Sequence, residues 1–412
     1  MCPRKPEEVS VTVKKVVYSL VALVIVAGLI GAGFATGYWF AKAKTPAPIP
    51  GVTQNDDLDL VERVIKIVED EYVEETSRSA LIKGAAAGVI EALNDPYSHY
   101  LPKKSFEKVE EETHGFYSGI GIYIGKKNSH PIVQSVIERT PAFRAGLQAG
   151  DVILSVDGTS TMGKSIDDVS SMIRGKEGTK VTLELGREGK DKPFKVTIVR
   201  EQIKIPNVES KMVDASIGYV RIRGFNASTS VDVEKELIAL RKKGARAFVI
   251  DLRNNPGGLL DQAIELASMF IEKGRIVSVK GRSRQEEVYN AFRVTRSGGE
   301  LTLFKEPVVI LVNGGSASAS EIFSGALKDH KRAKLVGEKT FGKGNVQDVI
   351  KMPNGDGVLI TIATYYTPNG VSIHKRGIKP DIEVKMDGSI EPASPQDIQL
   401  KKAIEVLKAK MK

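Results

Sequence analysis

The sequence predicts a multi-domain α/β protein: an N-terminal transmembrane helix, a small helical region, a β-rich domain and an α/β core. Three observations carry this. A 26-residue run without a charged side chain, Val16 to Ala41, stands near the start. Residues 115–200 are rich in glycine-punctuated β segments, and residues 201–390 alternate strand-like and helix-like runs. A chain of 412 residues also exceeds what one ordinary hydrophobic core organises.

Residues 1–15 read as a cytoplasmic N-terminus. The apolar run at 16–41 is long enough, at about 1.5 Å per helical residue, to cross a ~30 Å hydrocarbon core. Tyr38 and Trp39 sit at its far end, where amphipathic aromatics favour the interface. Arg4, Lys5, Lys14 and Lys15 precede it, which keeps the N-terminus in the cytoplasm and sends the bulk of the chain across the cytoplasmic (inner) membrane. A cleaved signal peptide is the rival reading, but its apolar region usually spans ~7–15 residues. Residues 42–55, with Thr45-Pro46-Ala47-Pro48-Ile49-Pro50-Gly51, form a stiff linker.

Residues 56–112 read as a helical region. Leu58, Val61, Val64, Ile65 and Val68 recur at helical spacing behind Asp56 and Asp57, and a second helix from Ser79 to Leu93 is stopped by Asn94-Asp95-Pro96. So small a piece buries little alone, which points to packing on the main body or on another subunit of a homo-oligomer. Within 201–390, Tyr219–Phe225, Ala247–Leu252, Val308–Val312 and Val358–Tyr366 read as strands, with a helix near 231–243. Residues 391–412 read as a C-terminal helix with Ile398, Ala403, Ile404 and Leu407 on its apolar side.

Composition excludes several functions. The formal net charge is +9, but residues 1–44 carry six basic against two acidic side chains, so the remainder is only mildly basic. No nucleic-acid footprint results. The single cysteine, Cys2, excludes a disulfide framework within one chain, and the five histidines lie far apart without the HExxH spacing of a zinc peptidase. No metal or organic cofactor is expected.

The chemistry lies in two loops. The strand Pro307–Asn313 runs into Gly314-Gly315-Ser316-Ala317-Ser318-Ala319-Ser320-Glu321. Small residues admit a substrate backbone, and the N–H groups of the following helix suit a developing oxyanion. A serine nucleophile needs a base. The nearest histidine in sequence, His330, lies about three turns down that helix, and the G-x-S-x-G elbow is absent. Lys343, between Gly342 and Gly344, is the other candidate, because a desolvated lysine has a depressed pKa. Gly337 to Lys343 satisfies most of a phosphate-binding loop, but Gly344 stands where the magnesium-binding Ser or Thr belongs.

The run from Pro141-Ala142 through Ala145-Gly146-Leu147, Gly150-Asp151 and Val156-Asp157-Gly158 resembles a PDZ domain. That resemblance makes Gly119, Ile120, Gly121 and Ile122 a carboxylate-binding turn and strand, faced across a groove by Val169, Met172 and Ile173. Arg174, at the end of the groove helix, is a candidate for sensing the bound carboxylate or touching the protease core. The segments Asp251–Gly258, Ser316–Ile322 and Gly337–Gly344 resemble the C-terminal processing (tail-specific) serine proteases, whose core is similar to the crotonase architecture. The resemblance extends over about 56–385 and includes Asp95-Pro96-Tyr97-Ser98. It implies Ser318 as nucleophile, Lys343 as its base and Gln347 as the residue that orients the lysine. It also implies an oxyanion hole made by Ala319 and by Gly257 or Gly258. Ser316 and Ser320 are then structural, Asp251 and Arg253 hold their loop by paired charge, and His374 takes no catalytic part. The implied partners are protein substrates with free, apolar C-termini, the membrane, and an adaptor or activator of unknown kind. Two rival readings are a catalytically silent, membrane-tethered PDZ scaffold and a crotonase-like acyl-processing enzyme.

Overall fold

The computed structural model describes residues 56–127, 130–282, 285–294 and 303–411. The expected membrane span at 16–41 and its linker lie outside these. Among the described residues no helix is long and apolar enough to cross a membrane. The chain divides into two compact units, Met1–Ala85 and Ala86–Lys412. In the first, helix α1 (Asp56–Glu71) buries Ile65 but exposes Leu58, Val61, Val64 and Ile67. Arg78, which opens α2 (Arg78–Glu91), pairs with Glu69 at 2.9 Å and with Glu62.

The second unit begins within α2. Strand β1 (His99–Leu101) and helix α3 (Lys103–His114) follow. Gly115, at φ 77°, ends α3 in the left-handed conformation that glycine adopts without strain. Strand β2 (Phe116–Gly119) then enters a β domain of β3 (Ile122–Lys127), β4 (His130–Val136), α4 (Pro141–Arg144), β5 (Val152–Val156), β6 (Thr159–Ser160), α5 (Ile166–Ile173), β7 (Lys180–Gly186) and β8 (Phe194–Val199). Its sheet runs β3-β4-β5-β7-β8, so β3 lies at the edge. Val181, Leu183 and Leu185 alternate inward along β7 and pack with Val133, Ile153 and Val169. A capping box starts α5: Ser165 Oγ accepts from Asp168 N–H at 3.1 Å, and the Asp168 carboxylate accepts from Ser165 N–H.

Strand β9 (Glu201–Lys204) pairs with β2 and leads into the core. The core comprises β10 (Val208–Asp214), β11 (Ile217–Ile222), α6 (Thr229–Lys242), β12 (Ala247–Asp251), α7 (Leu260–Ser268), β13 (Arg275–Gly281), β14 (Glu287–Asn290) and β15 (Val308–Val312). It continues with α8 (Ala319–Asp329), β16 (Ala333–Gly337), β17 (Asn345–Lys351), β18 (Gly357–Tyr366), β19 (Ile382–Glu383) and α9 (Ile398–Met411). One sheet runs β10-β11-β12-β15-β16-β19 and is parallel from β11 onward. Its central strands, Ala-Phe-Val-Ile-Asp and Val-Val-Ile-Leu-Val, are buried along their whole length, as strands covered on both faces must be. Phe248, Ile250 and Ile310 face α6, α7 and α8, while Val249, Val309 and Leu311 face α9. The second sheet, β1-β18-β13-β14 with β17 on β18, is antiparallel.

Helix α9 differs from its expected face. Leu400, Ala403 and Leu407 are buried, whereas Ile398 is 45% exposed. The helix phase is set by Asp397, which accepts from Leu400 N–H at 2.9 Å and reaches Arg253. The buried Arg253 guanidinium bonds Asp251 Oδ1 at 2.9 Å, Asp397 Oδ2 at 2.7 Å and Gln399 Oε1 at 3.0 Å, and Tyr219 Oη donates to Asp251 at 2.7 Å. Arg253 thus joins the end of β12 to the start of α9 with both carboxylates compensated. Removing one partner of such a buried pair costs about 3–5 kcal/mol. Burial opposes the charge on Asp397, yet Arg253 and the N–H groups of Ala393 and Leu400 hold its carboxyl below the ordinary value. That stabilisation is present above the ordinary carboxylate range and is lost as pH falls through the folded value. Urea denaturation of Asp397→Ala should therefore show a loss of about 3–5 kcal/mol at neutral pH. The gap from the unmodified chain should narrow on acidification.

Candidate active site

Three loops leave the carboxyl ends of the parallel strands β12, β15 and β16, where open α/β sheets place their sites. They are Leu252–Leu259, Asn313–Ser318 and Glu338–Gly344.

The serine loop separates its three hydroxyls by geometry. Ser316 Oγ donates to Leu252 O at 2.7 Å and accepts from Asn313 N–H. Ser320 Oγ donates to Asn255 O at 3.0 Å. Both are fully buried and tie the serine loop to the loop after β12. Ser318 is the partly accessible one. Its backbone sits at φ 54°, ψ −116°, a region costing a non-glycine residue about 1–3 kcal/mol. It stands at the N-cap of α8, so the Ala319 N–H behind it has no acceptor within the helix.

Glu321, one turn into α8, holds that conformation. Its carboxylate is fully buried and takes four donors. Oε2 accepts from Ser318 N–H at 3.0 Å and Lys343 N–H at 2.9 Å; Oε1 accepts from Gly342 N–H at 2.8 Å and Thr340 Oγ1 at 2.5 Å. Burial pushes the carboxyl above its usual value, against the pull of these donors. The backbones of the serine turn and the lysine loop are thus fastened to one side chain.

The lysine loop needs its glycines. A Cβ on Gly344 would lie 2.4 Å from the His374 nitrogen, and Gly342 is at φ 94° with its Cβ position 2.9 Å from Gly377 N. Residues 374–377 pack closely on this loop, and the Lys343 side chain reaches β17. There its Nζ donates to Gln347 Oε1 at 2.5 Å and makes no hydrogen bond to the Ser318 hydroxyl. Burial lowers the Lys343 pKa, with Asp95 pulling the other way. Tyr365 Oη donates to the Lys343 carbonyl.

The loop after β12 presses against the serine. A Cβ on Gly257 (φ 104°) would lie 2.6 Å from Ser318 Cβ and 2.9 Å from Ala319 N. The Gly257 N–H is occupied by Asn255 Oδ1 at 2.9 Å. Gly258 (φ 137°) packs on Phe225, and its N–H has no acceptor among the described residues. The paired charge expected of Asp251 and Arg253 is present at the start of this same loop.

A small open groove in the β domain is lined by Tyr117, Gly119, Ile120, Gly121, Ile122, Ile124, Ser170, Ile173 and Arg174. Val169 does not line it: it is fully buried in the core of the domain, and Met172 packs against that core. The PDZ resemblance places both residues on the groove helix; of that helix, Ser170, Ile173 and Arg174 are the ones that line the groove. Arg174 ion-pairs with Glu111 of α3 and lies 4.7 Å over the Tyr117 ring. Burial pushes the Tyr117 hydroxyl up to about 12.

Glu321, Tyr365 and Tyr97 were missed as site residues by sequence reasoning. Glu321 carried a signal, since Ser318-Ala319-Ser320-Glu321 has the S-x-x-E spacing of a capping box. Glu321→Gln places an amide N–H₂ opposite two donors it cannot satisfy, so the loops separate. It should lower kcat by about 10²-fold with little change in KM, read from steady-state kinetics on a cleavable protein.

Residues 216–384 match the model of peptidase family S41, residues 132–187 that of a PDZ domain, and residues 41–105 that of the activating protease CtpB N-terminal domain. The chain is 39% identical over 331 residues to a "Carboxy-terminal-processing protease" of Bartonella bacilliformis, covering 79% of this chain and 74% of that one. It is 40% identical over 339 residues to a "Probable CtpA-like serine protease" of Staphylococcus aureus, covering 82% of this chain and 67% of that one, or about two thirds of the relative's length. Among solved structures, a photosystem II D1 C-terminal processing protease matches at 30% identity and a TM-score of 0.46, covering 79% of this chain and 92% of that one. With a serine turn and a lysine loop at the ends of its parallel strands and a PDZ domain in the same chain, this chain belongs to peptidase family S41, among the carboxy-terminal-processing serine proteases.

Proposed function

We propose that the chain is a membrane-anchored serine endopeptidase that takes free protein C-termini into its PDZ groove and cleaves near them, with Ser318 as nucleophile and Lys343 as base. The observation that carries this is the state of Lys343. Its amine is half-buried, depressed in pKa, and bonded to the neutral amide oxygen of Gln347. A neutral amide oxygen orients the amine while favouring its charged form much less than a carboxylate would. Ser318 supports the other half, as the accessible hydroxyl of its run.

The chemistry follows. Neutral Lys343 accepts the Ser318 proton as Oγ attacks the scissile carbonyl. The carbonyl oxygen, now an anion, is held by the N–H groups of Ala319 and Gly258, the glycine whose donor is unoccupied. Protonated Lys343 gives its proton to the leaving amine, and water releases the acyl group. Because the Lys343 amine donates to Gln347, attack requires a shift that brings it to Ser318. The groove supplies a trigger. Strand β3 is an edge that can accept a peptide strand, and a terminal carboxylate there competes with Glu111 for Arg174.

The uncharged run 16–41 supports an inner-membrane anchor with the catalytic part on the extracytoplasmic side. The exposed Leu58, Val61, Val64 and Ile67 of α1 support a homo-oligomer.

The chain should be incubated with an unstructured protein bearing an apolar C-terminus, and the products read by mass spectrometry. Cleavage near the tail should fall by about 10⁴-fold or more in Ser318→Ala and in Lys343→Ala. Peptide binding without cleavage by the folded, unmodified chain would favour the silent scaffold. Arg174→Ala should retain tail binding but lose most of the rate increase that a tail peptide gives. Full activity with full peptide dependence in that variant would remove Arg174 from the account.

A further inference from the structure

The Asp95–Ser98 turn, distant in sequence from both loops, reaches the site through Tyr97. Asp95 shapes the turn by accepting from Tyr97 N–H at 3.2 Å and Ser98 Oγ at 2.6 Å. Ser98 Oγ in turn accepts from Thr361 N–H of β18 at 3.0 Å, and β1 continues the pairing from His99 opposite Leu359. Thr361 is also the register partner of Gln347 on the other side of β18. The turn is therefore anchored to the strand that carries Gln347's neighbour. From this position the Tyr97 carbonyl accepts from Gln347 Nε2, and its ring centroid lies 5.1 Å from Lys343 Nζ.

We infer that Tyr97 is a positioning residue for the proteolytic reaction: its carbonyl fixes which end of the Gln347 amide faces Lys343, and its ring screens the lysine amine from water. The inference rests on the reading of Lys343 as the base. A backbone carbonyl can only accept, so it takes the N–H₂ end of Gln347 and leaves the oxygen for Lys343. Glutamate at 347 would offer the Tyr97 carbonyl no donor and would set a full charge beside the amine. The arrangement thus accounts for an amide here.

Two effects of the ring oppose each other. Its face attracts a cation, but at 5.1 Å that pull changes the acid–base equilibrium by less than about tenfold. Excluding water acts the other way, and burial can move a lysine by up to about 3–5 pH units. Exclusion wins, in agreement with the lowered pKa of Lys343. The other groups around Lys343 are Asp95 on the same turn, Glu321 of α8 at its backbone N–H, Tyr365 of β18 at its carbonyl, and His374 packed on Gly344. Of these, Asp95 favours the charged amine, so the depression comes from burial.

The test titrates Lys343 directly and separately from catalysis. In the Ser318→Ala chain, competitive acetylation with acetic anhydride across neutral to alkaline pH, with mass spectrometry of the Lys343 peptide, reports the amine's protonation. In chains with Ser318 intact, kcat/KM for the protein substrate is measured over the same range. Tyr97→Ala should move the Lys343 titration and the acid limb of kcat/KM upward by about one unit, cutting kcat/KM at neutral pH about tenfold. Tyr97→Phe keeps ring and carbonyl and should restore both. Tyr97→Gln, which brings a wettable amide beside the amine, replaces the alanine variant if that does not fold. An unchanged Lys343 titration in the alanine or glutamine variant would overturn the inference, as would a phenylalanine variant that moves as far. Cleavage that survives Lys343→Ala would instead defeat the reading of Lys343 as base, while the titration would still report on Tyr97.

Discussion

The site depends on one buried carboxylate. Glu321 brings a negative charge into the protein interior, which is unfavourable unless its oxygens are satisfied. They are, by four donors drawn from the serine turn and the lysine loop. Hydrogen bonds to a charged acceptor contribute about 1.5–3 kcal/mol each, enough to offset the strain of about 1–3 kcal/mol at the Ser318 backbone. The two segments are 25 residues apart and leave different strands, so neither could hold the other in place through its own turn. The same bonds point Ser318 out of the helix start and leave the Ala319 N–H open. Position, strain and anion-binding capacity come from one interaction.

Around it the structure repeats this logic at longer range. Arg253 ties the loop after β12 to α9 through Asp251 and Asp397, and Asn255, Ser316 and Ser320 bind that loop to the serine turn. Gly257 can then approach Ser318 so closely that no side chain fits between them. The proposed reacting groups lie on loops, but buried polar side chains fasten these loops to one another, and two of the three loops leave strands that are wholly buried. Such fastening limits misplacement, which for reacting groups costs rate steeply.

Much of the fold was legible because its signals are local. The alternating strands of the β domain and the apolar runs of β12 and β15 follow from period and composition alone. Helix phase was less legible. Ile398, placed by helical pattern, and Val169 and Met172, placed by resemblance, all lie on the expected helices, but which side turns inward is decided by neighbours such as Asp397 and the β-domain sheet. Ser318 was distinguished from Ser316 and Ser320 only by resemblance; the burial and bonding of the other two could not be read from the sequence. The choice between Gly257 and Gly258 stayed open in the sequence because it turns on the partner of each N–H, and the Gly257 N–H is taken by Asn255 of its own loop. Tyr97 stood in the sequence only as part of the Asp95–Ser98 resemblance, and nothing local tied it to the site, since the Gln347–Tyr97 contact spans 250 residues.

The most direct measurement of the central claim is site-mapped labelling with a fluorophosphonate, which transfers its phosphorus to an activated serine oxygen with loss of fluoride. The account predicts label on Ser318 in the folded chain, little on Ser316 or Ser320, and loss of the label in Lys343→Ala. Label on either neighbouring serine, or undiminished labelling of Ser318 without Lys343, would contradict it.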